Sequence, residues 1–333
     1  MQDRRRWQRW RTAMDEALYG ADGFYRRSGA PAAHFRTAAH TSPLWAGAIA
    51  ELAGRVDAAL GQPESFCLVD MGSGGGELLA ALAGTVPPRW SLVGVDHAAR
   101  PDGLPERVAW TAEAPAGITG LVIANEWLDV VPVDVVELAD DGRLRLVEVT
   151  DDGEERLGDS PDATDVDWLR RWWPPADVGD RAEIGRTRDE AWRKLVERSL
   201  ARGVAVAIDY AADPARDVAG TLTGYRDGRQ VAPVPDGTCD ITAHVLMESC
   251  AAAVGDVDIL MTTQREALRD LGVDGRRPAY DGDPQAFVAA LSQAGEAAEL
   301  LDAHGLGGFV WLVLARDCPL PLRSGAGTRD TDA

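Results

Sequence analysis

The clearest helical pattern in the first part of the chain covers residues 41–60. Apolar residues recur there at every fourth position, at Leu44, Ala48, Leu52 and Val56, and this spacing places them on one face of a helix. Thr41 or Ser42 can serve as the N-cap, and Pro43 is favourable in the first turn. We therefore predict a helix over residues 41–60 that ends at Gly61.

Short, continuous apolar runs with β character follow this helix, separated by helical or loop segments. Four of them lie at residues 66–70, 91–96, 108–111 and 121–125. A run without alternating polar positions is typical of a strand that is buried on both faces of a parallel sheet. The alternation of such strands with connecting segments predicts βαβ units and a parallel sheet.

A polar insertion interrupts this alternation after the fourth strand. Residues 133–138 and 144–149 flank the turn sequence Asp140-Asp141-Gly142, and two such runs around a Gly-containing turn predict a hairpin. The acidic sequence that follows is predicted to be structureless as far as Asp165.

The remaining part of the chain returns to the α/β pattern. The predicted elements are a helix over 189–201 closed by Gly203, a strand over 204–209, a long ordered loop over 220–240, a helix from Thr242 to residue 253, a strand over 257–261, helices over 264–271 and 284–303, and a strand over 309–315. The fold class is therefore α/β, with a doubly wound, mostly parallel sheet. Residues 1–62 would form a helical N-terminal extension. An insertion would extend from about residue 133 to residue 185, and residues 318–333 would form a disordered tail.

The composition is that of a folded, acidic protein. Of the 333 residues, 45% are hydrophobic and 26% are charged, which excludes a disordered chain. The 34 Lys and Arg against 54 Asp and Glu give a net charge of −20, so the phosphate backbone of a nucleic acid would be repelled. A cationic protein or a small molecule is the expected partner, and a homodimer and a monomer both stay open.

The cysteines and the apolar runs bear on the expected location of the protein. Its 4 cysteines, at positions 67, 239, 250 and 318, show no spacing typical of a metal site or a disulfide framework. A cytoplasmic location is therefore expected, without a bound metal. The apolar run at residues 309–315 is far shorter than the ~20 residues that a bilayer span needs, so no membrane contact is predicted.

A glycine loop between the first predicted strand and the next helix is the candidate ligand site. The strand ends at Asp70, and the loop carries Gly72, Ser73, Gly74 and Gly76. Glycines let the backbone approach a nucleotide-sized ligand at the carboxyl end of a parallel strand. The dinucleotide fingerprint would need glycine at position 77, which is Glu. The GxGxG spacing after an acid is instead typical of enzymes that use S-adenosylmethionine, and a tight turn without a ligand is the alternative.

Asp96 ends the next predicted strand, about 20 residues beyond the glycine loop. In nucleotide-binding α/β folds an acidic side chain at this place accepts hydrogen bonds from the hydroxyl groups of a ribose. We therefore predict that Asp96 binds the ribose of the ligand. The alternative is a solvated aspartate at a strand end.

The fourth predicted strand leads into Asn125, Glu126 and Asp129. In a doubly wound sheet this place borders the ligand crevice, so these side chains would face the sulfonium and the methyl acceptor. Carboxylates beside a cationic cofactor favour an acceptor that is cationic or loses a proton. In the alternative interpretation, Glu126 and Asp129 cap a following helix.

Several segments resemble one known family in the same order along the chain. Residues 125–132, Asn-Glu-Trp-Leu-Asp-Val-Val-Pro, are similar to the Asn-Glu-Phe-x-Asp-Ala-x-Pro signature of the MidA family of S-adenosylmethionine-dependent methyltransferases, related to the mitochondrial complex I assembly methyltransferase. The further matching segments are His34-Phe35-Arg36-Thr37-Ala38, Ile208-Asp209-Tyr210, Gly220-Thr221-Leu222, Tyr225-Arg226 and Cys239-Asp240-Ile241-Thr242-Ala243-His244-Val245. The resemblance extends from about residue 20 to residue 316. Departures are the loop sequence at 72–76, Asp70 in place of Glu, Ala211 in place of Gly, and His34 in place of an acid.

The resemblance implies a fold and an activity. The fold is the class I, Rossmann-like methyltransferase type over residues 63–317, with residues 1–62 as a substrate lid. The activity is methyl transfer from S-adenosyl-L-methionine, by analogy to a protein arginine. A small-molecule methyltransferase of a biosynthetic pathway and a non-catalytic, cofactor-binding assembly factor are the alternatives.

Site roles also follow from the resemblance. If an arginine is the acceptor, Glu126 would hold its guanidinium by charge-assisted hydrogen bonds. Asp129, Asp209 and Asp240 are candidates for a second carboxylate, and His244 is either a proton relay or a structural hydrogen bonder. The aromatic residues are open to two interpretations each: Tyr210 and Tyr225 as pocket wall or core, and Trp168, Trp172 and Trp173 as partner surface or satellite core.

Overall fold

The computed structural model describes residues 6–26, 42–276 and 283–323. Its strands in chain order are β1 (Gln8–Arg9), β2 (Phe66–Met71), β3 (Trp90–Val95), β4 (Val108–Thr111), β5 (Ile118–Asn125), β6 (Asp134–Leu138), β7 (Leu144–Val149), β8 (Glu155–Leu157), β9 (Arg181–Ile184), β10 (Leu200–Asp209), β11 (Thr223–Arg226), β12 (Arg229–Val231), β13 (Asp240–Thr242), β14 (Asp258–Thr263) and β15 (Val310–Arg316). Its helices are α1 (Trp10–Tyr19), α2 (Pro43–Ala59), α3 (Glu77–Ala83), α4 (Ala163–Trp172), α5 (Arg186–Ser199), α6 (Met247–Ala252), α7 (Gln264–Asp270) and α8 (Pro284–Leu300).

A seven-stranded sheet forms the centre of the molecule, in the order β14-β15-β10-β5-β2-β3-β4. Strands β4, β3, β2, β5 and β10 pair in parallel, whereas β15 is antiparallel to both of its neighbours. Buried residues of α2, α3, α7 and α8 pack on one face of this sheet, and those of α5 and α6 pack on the other. The predicted α/β class with a doubly wound, mostly parallel sheet is confirmed at this level.

Helix α2 forms where the sequence pattern places it. The Oγ atom of Ser42 accepts a hydrogen bond from the backbone N–H of Leu44 at 3.2 Å, and Pro43 lies in the first turn. Ala48, Leu52 and Val56 are buried in the central core. Ser42 is therefore the N-cap; Thr41, the other candidate, lies outside the described residues.

We expect Ser42→Ala to lower the free energy of unfolding by about 1 kcal/mol, because it removes the side-chain cap of α2. Urea denaturation followed by circular dichroism measures the change. Ser292→Ala is the matched control, since Ser292 is exposed within α8 and caps no helix end. A Ser42→Ala loss no larger than that of the control would contradict the capping role.

The predicted hairpin of the insertion is present as β6 and β7, with Val136 opposite Leu146. It belongs to a second sheet in the order β1-β7-β6-β9, to which β8 adds on β7. The prediction of structureless sequence as far as Asp165 is wrong. Strand β8 pairs within that segment, and α4 begins at Ala163 because the Asp162 side chain accepts a hydrogen bond from the backbone N–H of Asp165 at 2.8 Å.

Three further predictions for the second half of the chain are wrong. Residues 220–240 contain the strands β11 and β12, which form a three-stranded sheet with β13 instead of a loop. Thr242 does not cap a helix, because it pairs with Thr223 at the end of β13, and α6 begins at Met247. Gly203 lies inside β10 instead of closing α5: a Cβ there would lie 2.0 Å from the Gly120 carbonyl oxygen, so the close strand approach requires glycine.

The Trp cluster is a satellite core. Trp168 and Trp173 are buried with Leu169 and Ile184 beneath the second sheet, and the Trp168 indole N–H donates to the Asp189 carboxylate at 2.7 Å. The prediction of a disordered tail is wrong for residues 318–323, which lie in the described part of the chain, since Cys318 and Leu322 are buried against the central core. Residues 34–38 and 324–333 lie outside the described part of the chain.

No helix within the described ranges is both long and apolar enough to cross a membrane. The same residues contain no group of three or more His, Cys, Asp or Glu side chains that could hold a metal ion.

Candidate active site

The carboxyl ends of β2, β3, β5 and β10 lie along one edge of the central sheet. The structure brings the predicted site residues together there, because neighbouring strands are parallel and in close register. Asp70 lies opposite Ile123 of β5, and Asn125 lies opposite Ile208 of β10. Asp96 follows β3 directly. This edge is where doubly wound folds bind their ligands.

The glycine loop is folded tightly against the end of β3. The backbone N–H groups of Gly72 and Ser73 both donate to the Val95 carbonyl oxygen, at 2.9 and 3.1 Å. Gly74 has a φ of 55°, and a Cβ atom there would meet no atom within 4 Å. Gly76, with a φ of 75°, precedes the first residue of α3. The loop is thus a strand-to-helix turn with open space above Gly74, which leaves room for a ligand.

Asp96 connects the end of β3 to this loop. Its Oδ2 atom accepts a hydrogen bond from the Gly74 N–H at 2.9 Å, and its Oδ1 atom accepts one from the Ala98 N–H at 2.8 Å. The residue is only partly buried. Because each carboxylate oxygen can accept a second hydrogen bond, Asp96 can hold the loop and still accept a ligand hydroxyl.

Asp70 is buried behind the loop, with 5% of its surface exposed. The Ser73 hydroxyl donates to its Oδ2 atom at 2.7 Å. Burial raises the pKa of Asp70 to about 7; the hydrogen bond from Ser73 opposes the rise, and the charges of Asp96 and Glu77 add to it. A cationic group in the crevice would favour the ionised form of this carboxyl.

Glu126 follows β5 in a left-handed backbone conformation, with a φ of 49°. Its backbone N–H donates to the Ile208 carbonyl oxygen at 2.9 Å, and the Asn125 side-chain amide donates to its Oε1 atom at 3.1 Å. Non-glycine residues adopt this conformation at an energetic cost, and such strain clusters at functional sites. Burial raises the pKa of Glu126 to about 8; the charges of Asp129 and Asp240 add to the rise, and the Asn125 hydrogen bond opposes it.

The turn after Glu126 is fixed by Asp209, which is fully buried at the end of β10. The Oδ2 atom of Asp209 accepts hydrogen bonds from the N–H groups of Leu128 and Asp129, at 3.0 and 3.2 Å. Residues 126–133 form no helix. The alternative in which Glu126 and Asp129 cap a following helix is therefore wrong, and the carboxylate that binds the backbone of this turn is Asp209.

Asp129 lies in the same turn with 4% of its surface exposed. Its Oδ1 atom has no hydrogen-bond partner among the described residues. Burial raises the pKa of Asp129 to about 6, and the positive charge of Arg188 limits the rise. A buried carboxylate oxygen without a partner is costly, so this atom is suited to bind a donor from a ligand.

Two tyrosines from the N-terminal segment cover the acidic side chains, and the sequence patterns did not reveal them. The Tyr25 hydroxyl donates to the Oδ1 atom of Asp240 at 2.8 Å, and the Tyr19 hydroxyl donates to the Val130 carbonyl oxygen at 3.0 Å. The two rings stack with centroids 5.6 Å apart, and Tyr19 meets the His97 ring edge-on at 5.7 Å. Burial and the charge of Asp129 raise the pKa of Asp240 to about 7, against the hydrogen bond from Tyr25.

Arg188 in α5 is a second residue that sequence reasoning missed. Its side chain is buried, and its Nη2 and Nη1 atoms donate to the carbonyl oxygens of Asp129 and His244, each at 2.6 Å. The positive charge lies within electrostatic reach of Asp129 and Asp209. No sequence signal separates it from Arg193, a half-buried residue of the same helix.

His244 lies beside Tyr210 at the end of β10. The two rings are nearly parallel, with an interplanar angle of 12° and centroids 5.8 Å apart. The Nδ1 atom of His244 is 3.7 Å from the Oδ2 atom of Asp217, and the backbone N–H donates to Thr221 Oγ1 at 2.9 Å. The His244 side chain therefore packs against the Tyr210 ring.

These carboxyls make stability depend on pH. Their raised pKa values are about 7, 8, 6 and 7 for Asp70, Glu126, Asp129 and Asp240, whereas an unfolded chain ionises its carboxyls near pH ~4. Between these limits the folded state binds more protons than the unfolded state, so stability falls as pH rises. We expect calorimetry to give a lower Tm at pH 8 than at pH 6, with a smaller difference for Glu126→Gln. A Tm that rises over this range would contradict the ionisation pattern.

Comparisons with known proteins agree with a ligand that contains a nucleoside. The model of a family described as "Putative S-adenosyl-L-methionine-dependent methyltransferase" matches residues 94–269. A protein from Burkholderia thailandensis, solved with bound S-adenosyl-homocysteine, is 26% identical to this chain, with a TM-score of 0.77. The match covers 95% of this chain and 90% of the Burkholderia chain. A native structure of an uncharacterized protein from the same organism is also 26% identical with a TM-score of 0.77, and the coverage is 94% and 88%. No curated protein matches the chain.

Proposed function

The chain belongs to the family of S-adenosyl-L-methionine-dependent methyltransferases, and from that premise we propose that it methylates the guanidinium group of a protein arginine. The observation that carries the proposal is the group of carboxyls at the end of β5. The charges of Asp129 and Asp240 raise the pKa of Glu126, and the charge of Asp129 raises the pKa of Asp240. One buried oxygen of Asp129 has no partner among the described residues. Such a site favours a cation with several N–H donors, and a guanidinium carries five.

The cofactor is S-adenosyl-L-methionine, which supplies an electrophilic methyl group when bound. The strand order of the central sheet supports the class I methyltransferase fold. We assign the cofactor to the glycine loop and its neighbours, namely Asp70, Gly72, Ser73, Gly74, Gly76, Asp96 and Asn125. The open space above Gly74 fits the close approach of a nucleoside, and the remaining acceptor capacity of Asp96 fits its ribose.

We expect Asp96→Ala to weaken the binding of S-adenosyl-L-methionine by roughly 10- to 100-fold, because a hydrogen bond from a hydroxyl to a charged group contributes about 1.5–3 kcal/mol. Isothermal titration calorimetry measures the affinity. Asp102→Ala is the matched control, since Asp102 is exposed on the following loop. Equal affinities for the two variants would remove Asp96 from the cofactor site.

The chain's own residues then orient the acceptor and receive its proton. Glu126 in its ionised form would hold the guanidinium by charge-assisted hydrogen bonds and fix one nitrogen on the transfer axis. As the new N–C bond forms and the S–C bond breaks, the nitrogen loses one proton. Asp129 is our candidate to accept that proton, because its pKa of about 6 lies near the operating pH.

The position of Tyr19 over the crevice supports the proposed role of the N-terminal region as a lid. Tyr19 contacts His97 next to Asp96 and also binds the backbone at Val130. It therefore bridges the cofactor side and the acceptor side of the crevice. Its position limits the access of water to the acidic side chains, which strengthens their interaction with a cation.

Methyl transfer from labelled S-adenosyl-L-methionine to a cell lysate tests the acceptor. The labelled material is separated into protein and small molecules, and the protein fraction is hydrolysed to amino acids. We expect the label in methylarginine. Label in small molecules alone would establish the biosynthetic alternative, label in another amino acid would overturn arginine, and cofactor binding without any transfer would favour the assembly factor.

A further inference from the structure

We propose that Tyr210 determines acceptor specificity by selecting a flat, delocalised cation beside Glu126, and that His244 is a positioning residue that holds the Tyr210 ring. The inference rests on the proposed function and deepens it. It assigns a recognition role to an aromatic side chain and gives His244 a role that needs no proton transfer.

Tyr210 follows the strand next to the one that leads into Glu126, and the charge of Glu126 raises the pKa of the Tyr210 hydroxyl. It follows β10, the neighbour of β5, and Glu126 donates its backbone N–H to Ile208, two residues before Tyr210. Asp209 between them is fully buried, whereas Tyr210 is 39% exposed. An aromatic residue is therefore partly accessible at the end of the strand next to Glu126.

Contacts on several sides fix the position of this ring. The Phe309 ring packs against it with centroids 4.0 Å apart, and the His244 ring stacks on it at 5.8 Å. The Tyr210 carbonyl oxygen accepts a hydrogen bond from the Val245 N–H at 2.8 Å. Since Arg188 binds the His244 carbonyl oxygen, the backbone that carries the stacking partner is anchored as well.

The electrostatic surroundings keep Tyr210 neutral. Burial raises the pKa of its hydroxyl, and the negative charge of Glu126 is the next largest cause. A neutral ring near a carboxylate combines two attractions for a cation, one to the charge and one to the part of the aromatic surface that Phe309 and His244 leave exposed. Guanidinium groups stack on aromatic faces, whereas an ammonium group is a compact, strongly hydrated charge. The pair thus favours arginine over lysine.

Small cations test this selectivity without an identified acceptor. The full chain is labelled with 3-fluorotyrosine, saturated with S-adenosyl-homocysteine and titrated with ethylguanidinium or propylammonium chloride by fluorine NMR. Loss of a resonance in Tyr210→Phe assigns the Tyr210 signal. We expect ethylguanidinium to shift this signal and to bind more tightly than propylammonium.

Substitution of the ring separates recognition from folding. In Tyr210→Leu, monitored through the signals of the remaining tyrosines, ethylguanidinium should bind roughly 3- to 30-fold more weakly. Propylammonium should change by less than about twofold, and the affinity for S-adenosyl-homocysteine should stay the same. Ile259→Ala, an exposed apolar residue of β14, is the control. No binding of ethylguanidinium to the unaltered chain, or equal losses for both cations in Tyr210→Leu, would overturn the assignment.

His244 is tested by a variant that keeps the stack but cannot carry a proton. We expect His244→Phe to retain kcat for methyl transfer and the preference for ethylguanidinium, and His244→Ala to lose that preference while kcat changes little. Loss of kcat in His244→Phe would show that the imidazole transfers a proton and overturn the positioning role. The labelled hydrolysate distinguishes this inference from the proposed function. Methylarginine in the hydrolysate, together with no effect of Tyr210→Leu on cation binding, would overturn this inference alone. Label in another amino acid would overturn the proposed function.

Discussion

Replacing Glu126 with glutamine is expected to lower kcat for methyl transfer by about 10²- to 10⁴-fold, with the affinity for S-adenosyl-L-methionine unchanged. Glutamine has the shape of glutamate but no charge, so it cannot hold a guanidinium by charge-assisted hydrogen bonds. The initial rate of label transfer to the protein fraction measures the effect at saturating cofactor. The loss should persist at every acceptor concentration, because orientation and not binding alone is removed.

The control for this variant is Glu113→Gln. Glu113 is exposed and pairs with Arg198, so its neutralisation should leave the rate unchanged. A Glu126→Gln rate within about threefold of the unaltered enzyme would remove Glu126 from catalysis. A parallel loss of cofactor affinity would place it on the cofactor side of the crevice instead.

The second large effect concerns stability. Arg188→Leu is expected to lower the free energy of unfolding by about 3–5 kcal/mol, because it removes the buried cation next to Asp129 and Asp209 and leaves carbonyl oxygens without donors. Urea denaturation measures this loss. Arg188→Lys should lose less, since it keeps the charge but not the fork of donors.

Arg193→Leu is the matched control in the same helix. Arg193 is 39% exposed and pairs with Glu197, so its loss should change stability by no more than about 0.5 kcal/mol. A loss below about 1 kcal/mol in Arg188→Leu would contradict the view that this cation stabilises the acidic turn.

The parts of the site that lie at strand ends could be predicted from the sequence. A buried strand followed by Asp70 and the glycine loop has a local pattern, and parallel strands bring their carboxyl ends together whatever the rest of the chain does. Asp96, Asn125 and Glu126 were located by this argument alone. The resemblance to the MidA family added the proposed acceptor but none of this geometry.

The residues that support the site could not be predicted in the same way. Tyr19 and Tyr25 reach Val130 and Asp240 across more than 100 residues of sequence, and the sequence around Arg188 does not distinguish it from the solvent-facing charged residues of the same helix. Such contacts depend on how the second sheet packs beside the first. The same packing explains the strands β11 and β12, because Gly and Pro residues suggested a loop where pairing with β13 stabilises a small sheet.

An acidic residue at a strand end can either bind the backbone of a neighbouring turn or face a ligand, and Asp209 binds the backbone. Its position after β10 made it a candidate for the second carboxylate, but Oδ2 is occupied by the N–H groups of Leu128 and Asp129. Asp129, with one free oxygen among the described residues, is better suited to meet a ligand. Sequence patterns do not distinguish Asp209 from Asp129, since their different roles depend on the direction of the turn at residues 126–133.

A crystal structure of the full chain with S-adenosyl-homocysteine tests the central claim most directly. The account predicts the ribose hydroxyls on the Asp96 carboxylate, the nucleoside over Gly74, and the sulfur atom facing Asn125 and Glu126. A nucleoside bound away from the carboxyl ends of β2 and β3, or an Asp96 carboxylate without a ribose contact, would contradict it.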